Sequence, residues 1–258
     1  MTTRDTHWPA GTPNWVDISV PDVDAALAFY GPVIGWTFHD SGAEYGNYRI
    51  AMVNDRSVAG IGPMQAPGQP TAWLVYLASD DADATAKMIT EHGGRLLLEP
   101  GDIGEVGRIA VATDSTGGAF GVFQGKTQVG TEVVDEPGSL VWEDCRLTDV
   151  AEGRRFYQEV FGYTFDEVPG MPESEYAMFV VGDRPGGGMG GMFGAPEGTP
   201  SHWLAYFTVA DVDAAVETLR QLGGSMVQAA ENTPFGRIGM YADPFGARFG
   251  LHGPVPEG

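Results

Sequence analysis

Apolar residues recur at every second position from Trp15 to Val20, with Val16, Ile18 and Val20 on one side. That alternation predicts a strand with one face against a core. Asp22 follows where a helix N-cap belongs, and VDAALAFY behind it has helical spacing as far as Gly31–Pro32, which predicts the stop. Three strands are expected next, at Ile34–Phe38, Tyr48–Val53 and Val58–Gly62. The order then recurs, with a strand at Trp73–Ala78, a helix at Ala82–His92 closed by Gly93–Gly94, and strands near Leu96, Ile109 and Phe120. The pattern predicts an α+β unit of strand, helix and three strands, used twice.

The whole pattern then appears again. NWVDISVPDVDAALAFYGPVIGWTF, from Asn14 to Phe38, returns as VWEDCRLTDVAEGRRFYQEVFGYTF, from Val141 to Phe165. Trp15 matches Trp142, Asp17 matches Asp144, Phe29–Tyr30 match Phe156–Tyr157, and Gly35 matches Gly162. Farther on Trp73 matches Trp203, Asp83 matches Asp213, and VGRIAVATDSTGGAFG matches FGRIGMYADPFGARFG. Such self-similarity is the mark of a duplicated unit. It divides the chain into a first domain at 1–126, a linker at 127–138 and a second domain at 139–258. The linker lacks an amphipathic period, ends in Pro137–Gly138, and is expected to run extended along the second domain.

Composition narrows the function classes. Lys and Arg number 14 against 35 Asp and Glu, a formal charge of −21. A surface so acidic repels phosphate backbones and anionic headgroups, so neither nucleic acid nor a membrane is an expected partner. Cys145 is the single cysteine, which excludes an internal disulfide. The first residues lack the apolar stretch of a signal peptide, and a cytoplasmic location is the default expectation.

The FY that ends the first helix, the GW or GY after it, and the closing D-x-x-G-x-x-F strand resemble the vicinal oxygen chelate superfamily. That superfamily groups glyoxalase I with bleomycin-resistance proteins and extradiol dioxygenases. The resemblance spans nearly the whole chain and extends to tandem glyoxalase-like proteins, some labelled hydroxylases. It implies two glyoxalase-fold domains, each of two βαβββ modules curled into a half-open barrel around a cavity. It also implies a divalent ion held by His, Gln or Glu at two strand starts and two fourth strands. Those positions here are Trp15, Leu74 (or Trp73), Gly60 and Gly121 in the first half, and Trp142, Leu204 (or Trp203), Gly191 and Gly250 in the second. None has a ligating side chain, so the inherited metal site is expected to be lost, with no cofactor. The glycines are expected to make room for the indoles. A displaced site of His202 and His252 with Asp144 or Glu143 is the alternative.

Strand alternation places Asp17 and Asp144 on the same face as Trp15 and Trp142, toward the presumed cavity. A carboxyl beside indole in a low dielectric is expected to have a raised pKa and to serve as a general acid or base. The plainer expectation is an ion pair with Arg108 or Arg237, unless those arginines anchor a substrate carboxylate. Tyr76 and Tyr206 share the face as ligand-binding aromatics. Cys145 points the other way and is expected to pack in the core. A G-x-G-x-x-G at Gly186, Gly188 and Gly191 lacks the following helix that a dinucleotide site needs. The expected function is binding of a small apolar or aromatic metabolite in the cavities. The alternative is a hydroxylase, dioxygenase, lyase or isomerase acting on a small carbonyl or phenolic compound. A monomer or weak homo-oligomer is expected.

Overall fold

A computed structural model describes residues 2–66, 68–172 and 174–256. After a short strand β1 (Thr2–Thr3), the first half contains β2 (Pro13–Val20), α1 (Val23–Tyr30), β3 (Thr37–Asp40), β4 (Arg49–Val53) and β5 (Arg56–Pro63). Its second module is β6 (Trp73–Ala78), α2 (Ala82–Glu91), β7 (Arg95–Ile103), β8 (Gly107–Thr113) and β9 (Ala119–Gly125). After β10 (Val133–Val134) the order repeats as β11 (Leu140–Arg146), α3 (Val150–Phe161), β12 (Thr164–Glu167), β13 (Tyr176–Val181) and β14 (Arg184–Gly190). The last module is β15 (His202–Thr208), α4 (Val212–Gln221), β16 (Ser225–Thr233), β17 (Gly236–Ala242) and β18 (Arg248–Gly253).

Each half forms one open eight-stranded sheet, ordered β3-β4-β5-β2-β6-β9-β8-β7 and β12-β13-β14-β11-β15-β18-β17-β16. The two modules of a sheet meet along an antiparallel seam, β2 with β6 and β11 with β15. These are the tandem glyoxalase-fold domains that the repeat predicts, and neither sheet closes into a barrel.

All four helices start on an aspartate. Asp22, Asp81, Asp149 and Asp211 accept hydrogen bonds from the backbone N–H groups of Ala25, Ala84, Glu152 and Ala214. Each satisfies a donor that the first turn leaves orphaned. α1 ends at Tyr30 with Gly31 as its C-cap, as predicted, but the chain does not leave helical geometry there. Pro32 has no N–H for the α ladder, and the chain widens into a π turn at Gly31–Gly35, closed by Trp36 N–H on the Gly31 carbonyl. The third-element strand therefore starts at Thr37 rather than Ile34. The glycine-rich run from Gly186 to Gly190 lies inside β14, with Phe179 against Gly186 and Gly187.

The linker also departs from expectation, because it lies against the first domain. Val133–Val134 pair with Thr2–Thr3, Glu132 N–H bonds the Ser57 carbonyl, and the Glu132 carboxylate accepts from the Ser57 N–H and hydroxyl. Among the described residues no helix is long and apolar enough to cross a membrane.

The helix-bearing sides of the two domains share one core. Phe207 packs edge-on against Trp36 and Trp73, with ring centroids 5.1 and 5.0 Å apart, and Phe120 contacts Phe156 and Tyr157. Within it the Tyr30 hydroxyl accepts from Trp73 Nε1 at 3.1 Å and donates to Asp243 of the other half at 2.9 Å. The mirror set is Trp203 Nε1 to Tyr157 at 2.8 Å and Tyr157 to Asp114 at 3.0 Å. Tyr30 and Tyr157 have their phenol pKa pushed far up, by burial first, so both remain donors.

Tyr30→Phe leaves the Trp73 N–H and one Asp243 oxygen unpartnered in the core. It should lower stability by roughly 1–3 kcal/mol. Urea unfolding reads this directly, and an unchanged midpoint would show that the hydroxyl contributes nothing between the domains.

Candidate functional site

The face of each sheet away from the helices carries the alternate residues of its central strands. On β2 these are Trp15 and Asp17, and β6 places Tyr76 opposite Trp15 and Leu74 opposite Asp17. Gly60 of β5 sits beside Asp17, and Gly121 of β9 beside Tyr76. The second domain repeats the arrangement with Trp142, Asp144, Tyr206, Leu204, Gly188 and Gly250. The fourth-strand glycine is therefore Gly188, not the Gly191 expected from the repeat. Gly191 lies beyond the end of β14.

The glycines make room for tyrosines rather than indoles. A Cβ on Gly60 would lie 1.6 Å from the Tyr48 hydroxyl, and one on Gly121 would lie 2.1 Å from the Tyr76 ring. Gly188 and Gly250 stand likewise beneath Tyr176 and Tyr206, at 1.8 and 1.9 Å. Both hydroxyls of the first domain donate to one oxygen of Asp17, Tyr48 at 3.2 Å and Tyr76 at 3.1 Å, while Trp15 Nε1 donates to Tyr48. Tyr48 and Tyr176 escaped the sequence reading, although they occupy matching places ahead of Ile50 and Met178 in the repeat.

The two centres differ in charge. Asp144 Oδ1 accepts from Trp142 and Tyr176, and Oδ2 accepts from Tyr206 and from Arg146 at 2.6 Å. Arg146 has no counterpart in the first domain, where the repeat places Ser19. Burial works against the Arg146 charge, but Asp144 and the neighbouring phenols outweigh it and raise its pKa. Its guanidinium lies over Phe193, 4.6 Å from the ring centroid. Asp17 has no cation, and among the described residues nothing bonds its Oδ1. Burial pushes its pKa up to about 6, against the downward pull of Tyr76 and Tyr48. Tyr48 and Tyr76 are pushed far up, first by burial and then by the Asp17 charge, so they stay protonated donors.

Around Asp17 the face carries a patch of apolar side chains. Trp15, Tyr76 and Phe123 are buried, with Ile50, Leu74, Ile103, Val106 and Ile109 half-buried against them. Matching places in the second domain hold His252 for Phe123 and Phe235 for Val106, and Phe235 is 70% exposed. The first patch is apolar around its carboxyl, and the second is more exposed and polar.

Arg108 and Arg237 lie on the other face. Arg108 pairs with Asp83 at 2.8 Å and Arg237 with Asp213 at 2.8 Å, each joining a strand to the first turn of a helix. Neither reaches Asp17 or Asp144, so the expected ion pairs and the substrate-anchoring role both give way to these contacts. His202 and His252 do not form a site. His252 is in register with Thr208, six residues along β15 from His202, a separation of about 20 Å at roughly 3.3 Å per residue. His202 Nδ1 is bonded to the Pro200 carbonyl and His252 Nε2 to that of Phe235. Cys145 is buried against Tyr157 on the core side, as alternation predicts.

Trp, Leu and two Gly stand at the four places in each half where the resemblance puts metal ligands, and tyrosine rings cover the glycines. Among the described residues no three His, Cys, Asp or Glu side chains cluster as a metal site would require. These residues do not fit a divalent ion.

The family model described as Glyoxalase/Bleomycin resistance protein/Dioxygenase superfamily matches residues 12–122 and again 130–251. A Mycobacterium tuberculosis protein provisionally named glyoxylase CFP32 is 36% identical over 261 residues, 98% of this chain and 99% of that one. The anthracycline biosynthesis protein DnrV of Streptomyces peucetius is 33% identical over 263 residues, 95% of this chain and 94% of that one. The Mn(II)-bound glyoxalase of Novosphingobium aromaticivorans superposes with a TM-score of 0.69 at 15% identity, covering 96% of this chain and 84% of that one. A catechol 2,3-dioxygenase gives 0.63 at 15%, covering 97% and 96%. At such identities the two structures share the fold alone.

A carboxyl whose folded pKa is about 6, against about 4 when unfolded, binds its proton more tightly in the native state. The Asp17 contribution to stability is therefore full below pH ~4 and lost as pH rises to ~6. Asp17→Asn should remove that slope, gaining on the native protein by on the order of 1–2 kcal/mol between pH 4 and 7 once partial exposure is allowed for. Urea unfolding at the two pH values measures it. A carboxyl ¹³C titration with its midpoint below 4 would contradict the burial argument.

Proposed function

The chain belongs to the Glyoxalase/Bleomycin resistance protein/Dioxygenase superfamily, and from that premise we propose that its first domain binds a small, largely apolar or aromatic compound. The ligand lies on the apolar patch over Asp17 and offers it a phenolic or enolic hydroxyl, with no divalent ion in the site. The observation that carries this reading is an apolar patch at whose centre one carboxylate oxygen has no donor among the described residues. Apolar walls with a few convergent polar groups and a perturbed pKa are what small-molecule sites are built from. The relationship to a protein named for anthracycline biosynthesis supports a fused aromatic ligand, since anthracyclines are polycyclic aromatics.

A second reading shares the same residues. With a pKa of about 6, Asp17 is largely ionised at neutral pH yet close enough to it to return a proton, the poise that general acid–base catalysis favours. Its Oδ1 would take a proton from a phenol or from a carbon beside a carbonyl. The donors Tyr48 and Tyr76 would hold the carboxyl in place through Oδ2. Asp144, with both oxygens occupied by four donors, is assigned to the framework of its domain.

2-Naphthol and naphthalene separate apolar capture from recognition of the hydroxyl. A hydrogen bond to a carboxylate should make 2-naphthol bind roughly tenfold more tightly than naphthalene to the native chain. Asp17→Asn should shrink that preference, and Leu74→Gln should weaken both ligands. Phe235→Ser, at the rim of the other domain, should leave both unchanged. Tryptophan fluorescence titration is the readout, and equal loss in Phe235→Ser would move the site to the second domain.

A further inference from the structure

A concavity lies away from both aspartate centres, between the segment that precedes β2 and the turn joining β13 to β14. It has a volume of about 390 Å³, within the range of small-molecule sites. Arg4 and Arg184 face into it, with Trp8, Pro9, Val181 and Pro185 as its apolar walls, and no acidic side chain lines it. In a chain of net charge −21, two arginines without a carboxylate between them stand out. Asp183, the neighbour of Arg184 in the turn, is exposed and forms no part of the lining.

The Arg4 guanidinium is held rigidly without being neutralised. Nε donates to the Thr6 carbonyl at 2.9 Å and Nη2 to that of His7 at 2.7 Å, while the group stacks over Trp8 at 4.2 Å. Nη1 is left for another acceptor. The segment is itself anchored, by the pairing of Thr2–Thr3 with Val133–Val134 and by Trp8 Nε1 on the Thr131 carbonyl at 3.1 Å. Arg184 makes no ion pair among the described residues. Burial lowers the Arg4 pKa first, and the Arg184 charge adds to it, which places the two cations within electrostatic reach. A guanidinium fixed in advance, as Arg4 is, beside a second cation that lacks an ion pair among the described residues, is suited to carboxylate or phosphate.

We propose that this cleft binds a small organic anion, its carboxylate or phosphate held between Arg4 and Arg184 and its apolar body against Trp8, Pro9, Val181 and Pro185. The site is independent of the patch over Asp17. A ligand there would join the N-terminal segment to the β13–β14 turn, and so would touch both halves of the chain.

Isothermal titration of the full chain with phenyl phosphate and with benzoate tests it. At least one should bind saturably, and the preference between them tells phosphate from carboxylate. Arg184→Ala, on an exposed turn, and Arg4→Gln should each weaken binding about tenfold. Leu74→Gln, in the other site, should leave it unchanged. The indole N–H resonance of Trp8 should shift with the same saturation curve. Failure of both anions to saturate would overturn the proposal, as would binding that survives both arginine variants.

Discussion

Two buried tyrosine–aspartate hydrogen bonds, one in each direction across the centre of the molecule, set the relation on which the other contacts depend. Asp114 and Asp243 each have two tasks. One oxygen closes the turn of its own D-x-x-G-x-x-F segment by accepting N–H groups at Gly118 or Ala247. The other takes the hydroxyl of Tyr157 or Tyr30 from the opposite domain. Those hydroxyls are in turn the only acceptors for buried Trp203 and Trp73 among the described residues. Separating the domains would therefore break both tyrosine–aspartate bonds together, while each tryptophan keeps the tyrosine of its own half. With the helix sides thus packed together, the opposite faces of the two sheets point away from the shared core.

On those faces the absence of side chains at glycine is what creates the polar centre. Four glycines let four tyrosine rings lie flat across the strands, and their hydroxyls converge on one carboxyl per domain. An oxygen-rich centre thus stands where the family fold offers room for an ion. In one domain the half-buried Arg146 completes it, and in the other one carboxylate oxygen has no donor among the described residues.

Much of this was readable from the residues, for reasons that also explain what was not. Alternation around Trp15 and Asp17 is a local property of a strand, so the orientation of both residues followed from their spacing. The helix starts were equally plain, because Asp at an N-cap acts within four residues. Partners across the sheet are another matter. The pairing of Arg108 with Asp83 depends on which face of β8 meets α2, and a face cannot be chosen from a half-exposed strand whose neighbours on both sides are apolar. The displacement from Gly191 to Gly188 has a similar origin. In a run of glycines no side chain marks the register, and only the parallel pairing with Asp144 settles it. Tyr48 and Tyr176 were within reach, since the repeat aligns them, but a tyrosine next to a loop has no local feature that marks it as part of a site.

The exchange of Ser19 for Arg146 has a consequence for how such a chain can change over generations. In a symmetric dimer of separate subunits every substitution is made twice, so a new buried cation must be tolerated in both copies at once. Fusion into one polypeptide lifts that restriction. One copy can acquire a charge and settle into a framework while the other retains an unquenched acid. The molecule can thus divide labour between two halves that still share a single backbone plan.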